Sequence, residues 1–279
     1  MFLGPIPGYR DYPYGMALGP LFPPLLAGLF SAREASGPGD PNEKTGPAGL
    51  GPLHVIEKDI PLSYRIEFEN ELNATAPAQI VNVSDPLDPK FDWRSFQLTG
   101  VGFGDVEIDI PEDSQHFETV ISFRQNEKEF EVLVNAGIHL DTGEIYANIY
   151  SIDPATGLPP RVDTGFLPPE DGSGRGQGYI TYVVRIRDSV FHGLGAKEYQ
   201  NSSGMPVTGP PAGGEDGFPY TVIKNIAYIT FDFQETIATN LRNPHDPSQG
   251  TDPDKEAFVT IWPNPELDKA EHKKYTEEP

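Results

Sequence analysis

The chain has 279 residues, with 42 acidic against 20 basic side chains and a formal charge of −22, which argues against a nucleic-acid binder, since a phosphate backbone calls for a basic surface. Thirty prolines and 29 glycines cut it into short elements, while 37% hydrophobic and 11% aromatic residues suffice for a core. Cysteine is absent, so disulfides, thiolate metal sites and a cysteine nucleophile are excluded.

Residues 1–52 lack a sustained period and read as a Gly/Pro-rich linker or extended arm. Their most apolar run, Leu18–Phe30, carries Pro20, Pro23 and Pro24 and is too short to span a bilayer, so no membrane insertion of this segment is expected. A β-sandwich is expected over 53–262. Its first signal is Pro61–Asp88, where Tyr64, Ile66 and Phe68 alternate with Arg65, Glu67 and Glu69, then a polar break, then Ile80–Ser84. This predicts an antiparallel pair of half-buried strands. Further strands are expected at Phe96–Gly102, Asp105–Ile110, Phe117–Arg124, Glu129–Ile138, Glu144–Ile152, Gly178–Arg187, Thr221–Phe233 and Ala257–Trp262. Turns are expected at Gln125–Lys128, Asp141–Glu144 and Asp153–Gly157. Gly178–Arg187 and Thr221–Phe233 are expected to pair, and the polar insert 197–220 between them reads as a mobile loop. Residues 263–279 form a charged tail.

The ordered set of motifs resembles a known family. Tyr64, Ile66, Phe68, Asn70, Ala78, Val81, Val83, Asp85 and Leu87 form its opening pattern, and Ile223, Asn225, Ala227, Ile229 and Phe231 its closing strand. Asp40 to Lys44, Asp92 to Phe96, Phe103 to Asp105, Ser151 to Pro154 and Gly165 to Pro169 fall between or before them in order. This is similar to the repeat modules of large secreted or cell-surface bacterial proteins that are described only as a domain of unknown function. The resemblance implies an all-β, antiparallel immunoglobulin-like β-sandwich, expanded by long loops, on an exported bacterial protein. The expected partners are neighbouring modules and a cell-surface glycan or protein.

Three chemistries compete for the side chains. Calcium takes oxygen ligands from clustered carboxylates and amides, and Asp40, Asn42, Glu43, Glu69, Asp85, Asp88 and Asp153 are its candidates. The same residue types also form turns by bonding their own backbone. Carbohydrate binding would use exposed rings, for which Trp93, Tyr146, Tyr150, Tyr179 and Tyr228 are candidates; as core or sheet-covering residues they would have no such role. A glycoside hydrolase needs two facing carboxylates, and no particular pair stands out among the 42 acids. No nucleophile elbow or paired-histidine spacing occurs. Gly172–Gly178 superficially resembles a phosphate loop but leads into a strand, and reads as its flexible lead-in. The expectation is therefore a non-catalytic structural or adhesive module, with a carbohydrate-binding module as the alternative.

Overall fold

The computed structural model describes residues 42–51, 53–57, 59–125, 128–193 and 221–261. The strands in chain order are β1 (Lys44–Thr45), β2 (Val55–Ile56), β3 (Leu62–Glu69), β4 (Ile80–Pro86), β5 (Phe91–Phe103), β6 (Val106–Ile108) and β7 (His116–Gln125). They continue with β8 (Lys128–His139), β9 (Glu144–Ile152), β10 (Gln177–Ile186), the short helix α1 (Asp188–Gly193), β11 (Thr221–Asn225), β12 (Tyr228–Phe231), β13 (Ile237–Ala238) and β14 (Ala257–Ile261).

Alternation builds two faces. In β3 the residues Tyr64, Ile66 and Phe68 turn inward, and in β10 Ile180, Tyr182 and Val184 do the same. These strands belong to a five-stranded sheet of order β1-β3-β10-β5-β6. A six-stranded sheet, β13-β12-β4-β9-β8-β7, supplies Val81, Val83, Val134, Ile145, Ile149 and Ile229 from the other side. The faces meet through aromatic pairs, Phe103–Phe123 at 5.9 Å and Phe68–Phe231 at 6.5 Å between ring centroids. Phe68, Phe103 and Phe231 are buried and each contributes roughly 1.5–3 kcal/mol, while Phe123 is partly buried against them. A small sheet, β11-β14-β2, adds Ile223, Val259 and Ile261 to the same core, and its β14–β2 pair is parallel. The expected fold class, an expanded all-β sandwich of antiparallel sheets, is the one the chain adopts.

Two strand pairings differ from expectation. Segment Pro61–Asp88 is not a hairpin: β3 pairs with β1 and β10, whereas β4 pairs with β9 and β12 in the opposite sheet. The connection crosses the sandwich because Asn70 anchors it, donating to the carbonyls of Ala76 and Leu167. Segment Thr221–Phe233 is not one strand and does not pair with β10. It breaks after Asn225 into β11, paired with β14, and β12, paired with β4. The apolar pattern stays in phase across the break, so periodicity alone conceals it. The sandwich also begins earlier than residue 53, because β1 pairs in register with Ile66 and Arg65. The turns at Asp141–Glu144 and Asp153–Gly157 stand where expected, and β7 and β8 pair as the hairpin around Gln125–Lys128. Insert 197–220 and tail 263–279 lie outside the described residues.

Candidate functional site: a buried polar junction

The chemistry gathers inside the sandwich. In β4 the inward positions are Val81, Val83 and Asp85, so strand parity carries a carboxylate into the core, where it is 0% exposed. The ammonium of Lys44, delivered by β1, bonds and pairs with Asp85 Oδ2. Both side chains are wholly buried. The Tyr182 hydroxyl from β10 donates to the same Oδ2 at 2.6 Å, and in turn accepts from Asn225 Nδ2 of β11 at 2.9 Å. Tyr64 stacks on Tyr182 at 5.3 Å and lies 5.1 Å beneath Lys44 Nζ. Its hydroxyl lies beside Asn225 without closing a well-aligned hydrogen bond. Gly46, two residues past Lys44, faces Ala257, the register partner of Asn225. The junction thus ties the first described strand to both sheets and to the late strand β11.

Its electrostatics follow from dehydration. Burial pushes the Lys44 ammonium down to about 8, against the opposing pull of Asp85. Burial, reinforced by the Asp85 charge, raises the phenols of Tyr64 and Tyr182, so both stay protonated. An isolated ion pair here would cost several kcal/mol per ion in lost hydration. Among the described residues, Asp85 Oδ1 and Asn225 Oδ1 are buried without a hydrogen-bond partner.

The calcium candidates are scattered. Asp85 is no strand-end ligand, because its carboxylate is committed to Lys44 and Tyr182 in the core. Asp88 caps its own turn, accepting from Lys90 N at 2.8 Å and pairing with the Lys90 ammonium. Asp153 accepts from Ala155 N at 2.8 Å in the turn after β9. Glu69 accepts from Gln177 at 2.9 Å, and desolvation raises its carboxyl with help from Glu170 and Glu71. The Glu43 backbone pairs with Glu67, and Asn42 is buried. Asp40 lies outside the described residues. Among those residues no three acidic or histidine side chains converge as metal ligands.

The ring candidates divide between the sheets. Tyr228, Ser84 and Tyr146 share one cross-strand row on the outer face of the six-stranded sheet, beside the row Thr230, Asn82, Asn148 and Asn135. Tyr150 donates to Asn82 at 2.9 Å, and Tyr146 stacks on His139 at 4.4 Å while bonding His116. Tyr179 lies on the other sheet under the Arg65 guanidinium. Trp93 is half-buried over Gly143, with Arg187 across its ring. Asp105, Glu107 and Asp109 are exposed.

Sequence reasoning missed Lys44 and Asn225 as functional residues and misplaced Asp85. The signal was present: polar residues occupy the inward phase of β4 and of β11. It also missed Glu170. Gly172–Gly178 is no loose lead-in, because the amides of Gly172, Gly174 and Gly176 donate to the Glu170 carboxylate at 2.6, 2.9 and 2.9 Å. Desolvation opposes ionisation there, but these three donors prevail and lower the Glu170 carboxyl below its usual value.

Residues 40–129 match the family described as Domain of unknown function (DUF7619). The matched residues include Lys44 and Asp85, and Asn225 lies beyond them. Over 81% of this chain and 99% of the other, the structure is similar to the collagen binding subdomain of Enterococcus faecalis surface protein ACE, at 8% identity and a TM-score of 0.32. It is also similar to the full-length major pilin SpaD from Corynebacterium diphtheriae, at 13% identity and a TM-score of 0.31, over 79% of this chain and 33% of the pilin. No curated protein matches the sequence.

Proposed function

We propose that the chain is a non-catalytic structural or adhesive β-sandwich module of an exported bacterial surface protein. One observation carries this reading. The convergent acid–base cluster, Lys44, Asp85 and Tyr182, is sealed in the core, where it joins strands rather than meeting a substrate. Such a junction suits a module that must keep its shape outside the cell, and the charge of −22 keeps its surface soluble. Antibodies raised against the module should label intact producing cells. Labelling only after the cells are opened would overturn the reading.

The tyrosine and asparagine rows on the outer face of the six-stranded sheet favour a second reading, a carbohydrate-binding module. Rings beside amide donors and acceptors suit a sugar's apolar face and hydroxyls. Glycan-array binding that disappears in Tyr146→Ala would support it, and no binding by the wild-type chain would remove it.

A further inference from the structure

The buried junction holds an amine, a carboxyl group and a carboxamide in one dry site, joined through a single tyrosine hydroxyl. We infer that this is a site of self-modification, in which Lys44 Nζ condenses with the side-chain amide of Asn225 to form an intramolecular isopeptide bond, with Asp85 as the catalytic proton carrier. The inference concerns the interior alone and holds whether or not the module stands on a cell surface.

Three observations carry it. Lys44 Nζ contacts Asp85 Oδ2, and one hydroxyl, that of Tyr182, bridges this oxygen to Asn225. Asp85 Oδ1 and the Asn225 carbonyl oxygen are both buried without a partner among the described residues, which leaves a donor position free on one and an acceptor on the other. Transferring the shared proton from Lys44 to Asp85 turns a costly buried ion pair into a neutral amine and a neutral acid. Burial already draws the lysine toward that neutral, nucleophilic form, opposed by Asp85.

The step balances without a further reactant. The neutral Nζ attacks Asn225 Cγ, and Asp85 gives its proton to the carbonyl oxygen as the C=O bond opens. The attacking nitrogen returns a proton to Asp85, which passes it to Asn225 Nδ2. The carbonyl re-forms, releasing its proton to Asp85 as the Cγ–Nδ2 bond breaks and ammonia leaves. One C–N bond forms and one breaks, nothing is oxidised or reduced, and Asp85 ends as it began. Asn225 rather than Asp85 is the acyl partner because Asp85 is the carboxyl group in contact with the amine. Were it consumed, the hydroxide leaving group would need another acid, and the flanking phenols of Tyr64 and Tyr182 are weakened as acids by burial.

The test is the mass of the full chain, measured in denaturant, followed by fragmentation of its proteolytic peptides. The expected result is a chain lighter than its sequence by one ammonia, with a branched peptide joining Lys44 to Asn225. Asn225→Ala and Asp85→Asn should each return to the full sequence mass. A wild-type chain at its sequence mass would overturn the inference whatever the variants do. So would loss of ammonia without the branched peptide, or loss of one water with Lys44 joined to Asp85.

Discussion

Two carboxylates in this molecule sit in opposite circumstances. Glu170 is wrapped by the amides of Gly172, Gly174 and Gly176, which fill both of its oxygens and hold it ionised. Asp85 receives Lys44 and Tyr182 on one oxygen only, in a dry core. A carboxylate saturated by backbone donors fixes a loop. One left half-filled beside an amine keeps the capacity to move a proton.

The contrast is most easily broken at Asp85. In the Asn225→Ala chain, where Lys44 stays a free amine, adding Asp85→Ala strands the ammonium in the core and should cost about 3–5 kcal/mol in chemical denaturation, as breaking a buried pair does. Removing Glu170 is expected to cost less, because water reaches the emptied loop more readily. Glu170→Gln should lose about 1–3 kcal/mol, with a pH signature. A carboxyl lowered in the folded state stabilises above its unfolded pKa, and that stability is lost as pH falls through the folded value. The gap between wild type and Glu170→Gln should therefore be full at neutral pH and close in acid.

Lys44 also makes stability rise with pH, but in the alkaline range and because burial disfavours its charged form. In Asn225→Ala, where it stays a free amine, the folded chain releases its proton near 8 while the unfolded chain holds it to about 10.5. The unfolded state then binds more protons, so stability should climb as pH rises from about 8, until the raised phenols of Tyr64 and Tyr182 reverse the trend above their usual 10. The groups facing Lys44 in this titration are Asp85, Tyr64 and Tyr182. A lysine locked in an amide cannot titrate, so the wild type should lack the climb. Gly143→Ala should cost roughly 1–3 kcal/mol, since overpacking and a positive φ act together: φ is 75° and the new Cβ would lie 2.2 Å from the Trp93 ring. Calcium or a chelator is expected to have the smallest effect, leaving the melting midpoint unmoved, because the candidate carboxylates are dispersed into separate turns and pairs.

Much of the fold was legible because period-2 alternation in β3, β9 and β10 is a local property of the chain. Which strands pair is not local. Nothing between Glu69 and Ile80 says that the chain crosses to the other sheet, and the partner that settles it, Leu167, lies far along the sequence. The junction was legible only in part, for the same reason. Asp85 and Asn225 belong to the motifs that carry the family resemblance, yet each reads alone as a turn former or a strand polar residue. Their meaning depends on Lys44 and Tyr182, which only the folded chain brings to Asp85 and, through the Tyr182 hydroxyl, into one network with Asn225.

The placement of β1 and β11 has a consequence for the timing of synthesis. The amine is near the start of the described chain and the amide near its end, so ribosomes make Lys44 long before they make Asn225. Contacts so distant in sequence form late. A chain truncated before β11 cannot close the junction. The junction therefore closes only in chains made at least as far as β11 and folded, so an amide formed there would mark each such chain.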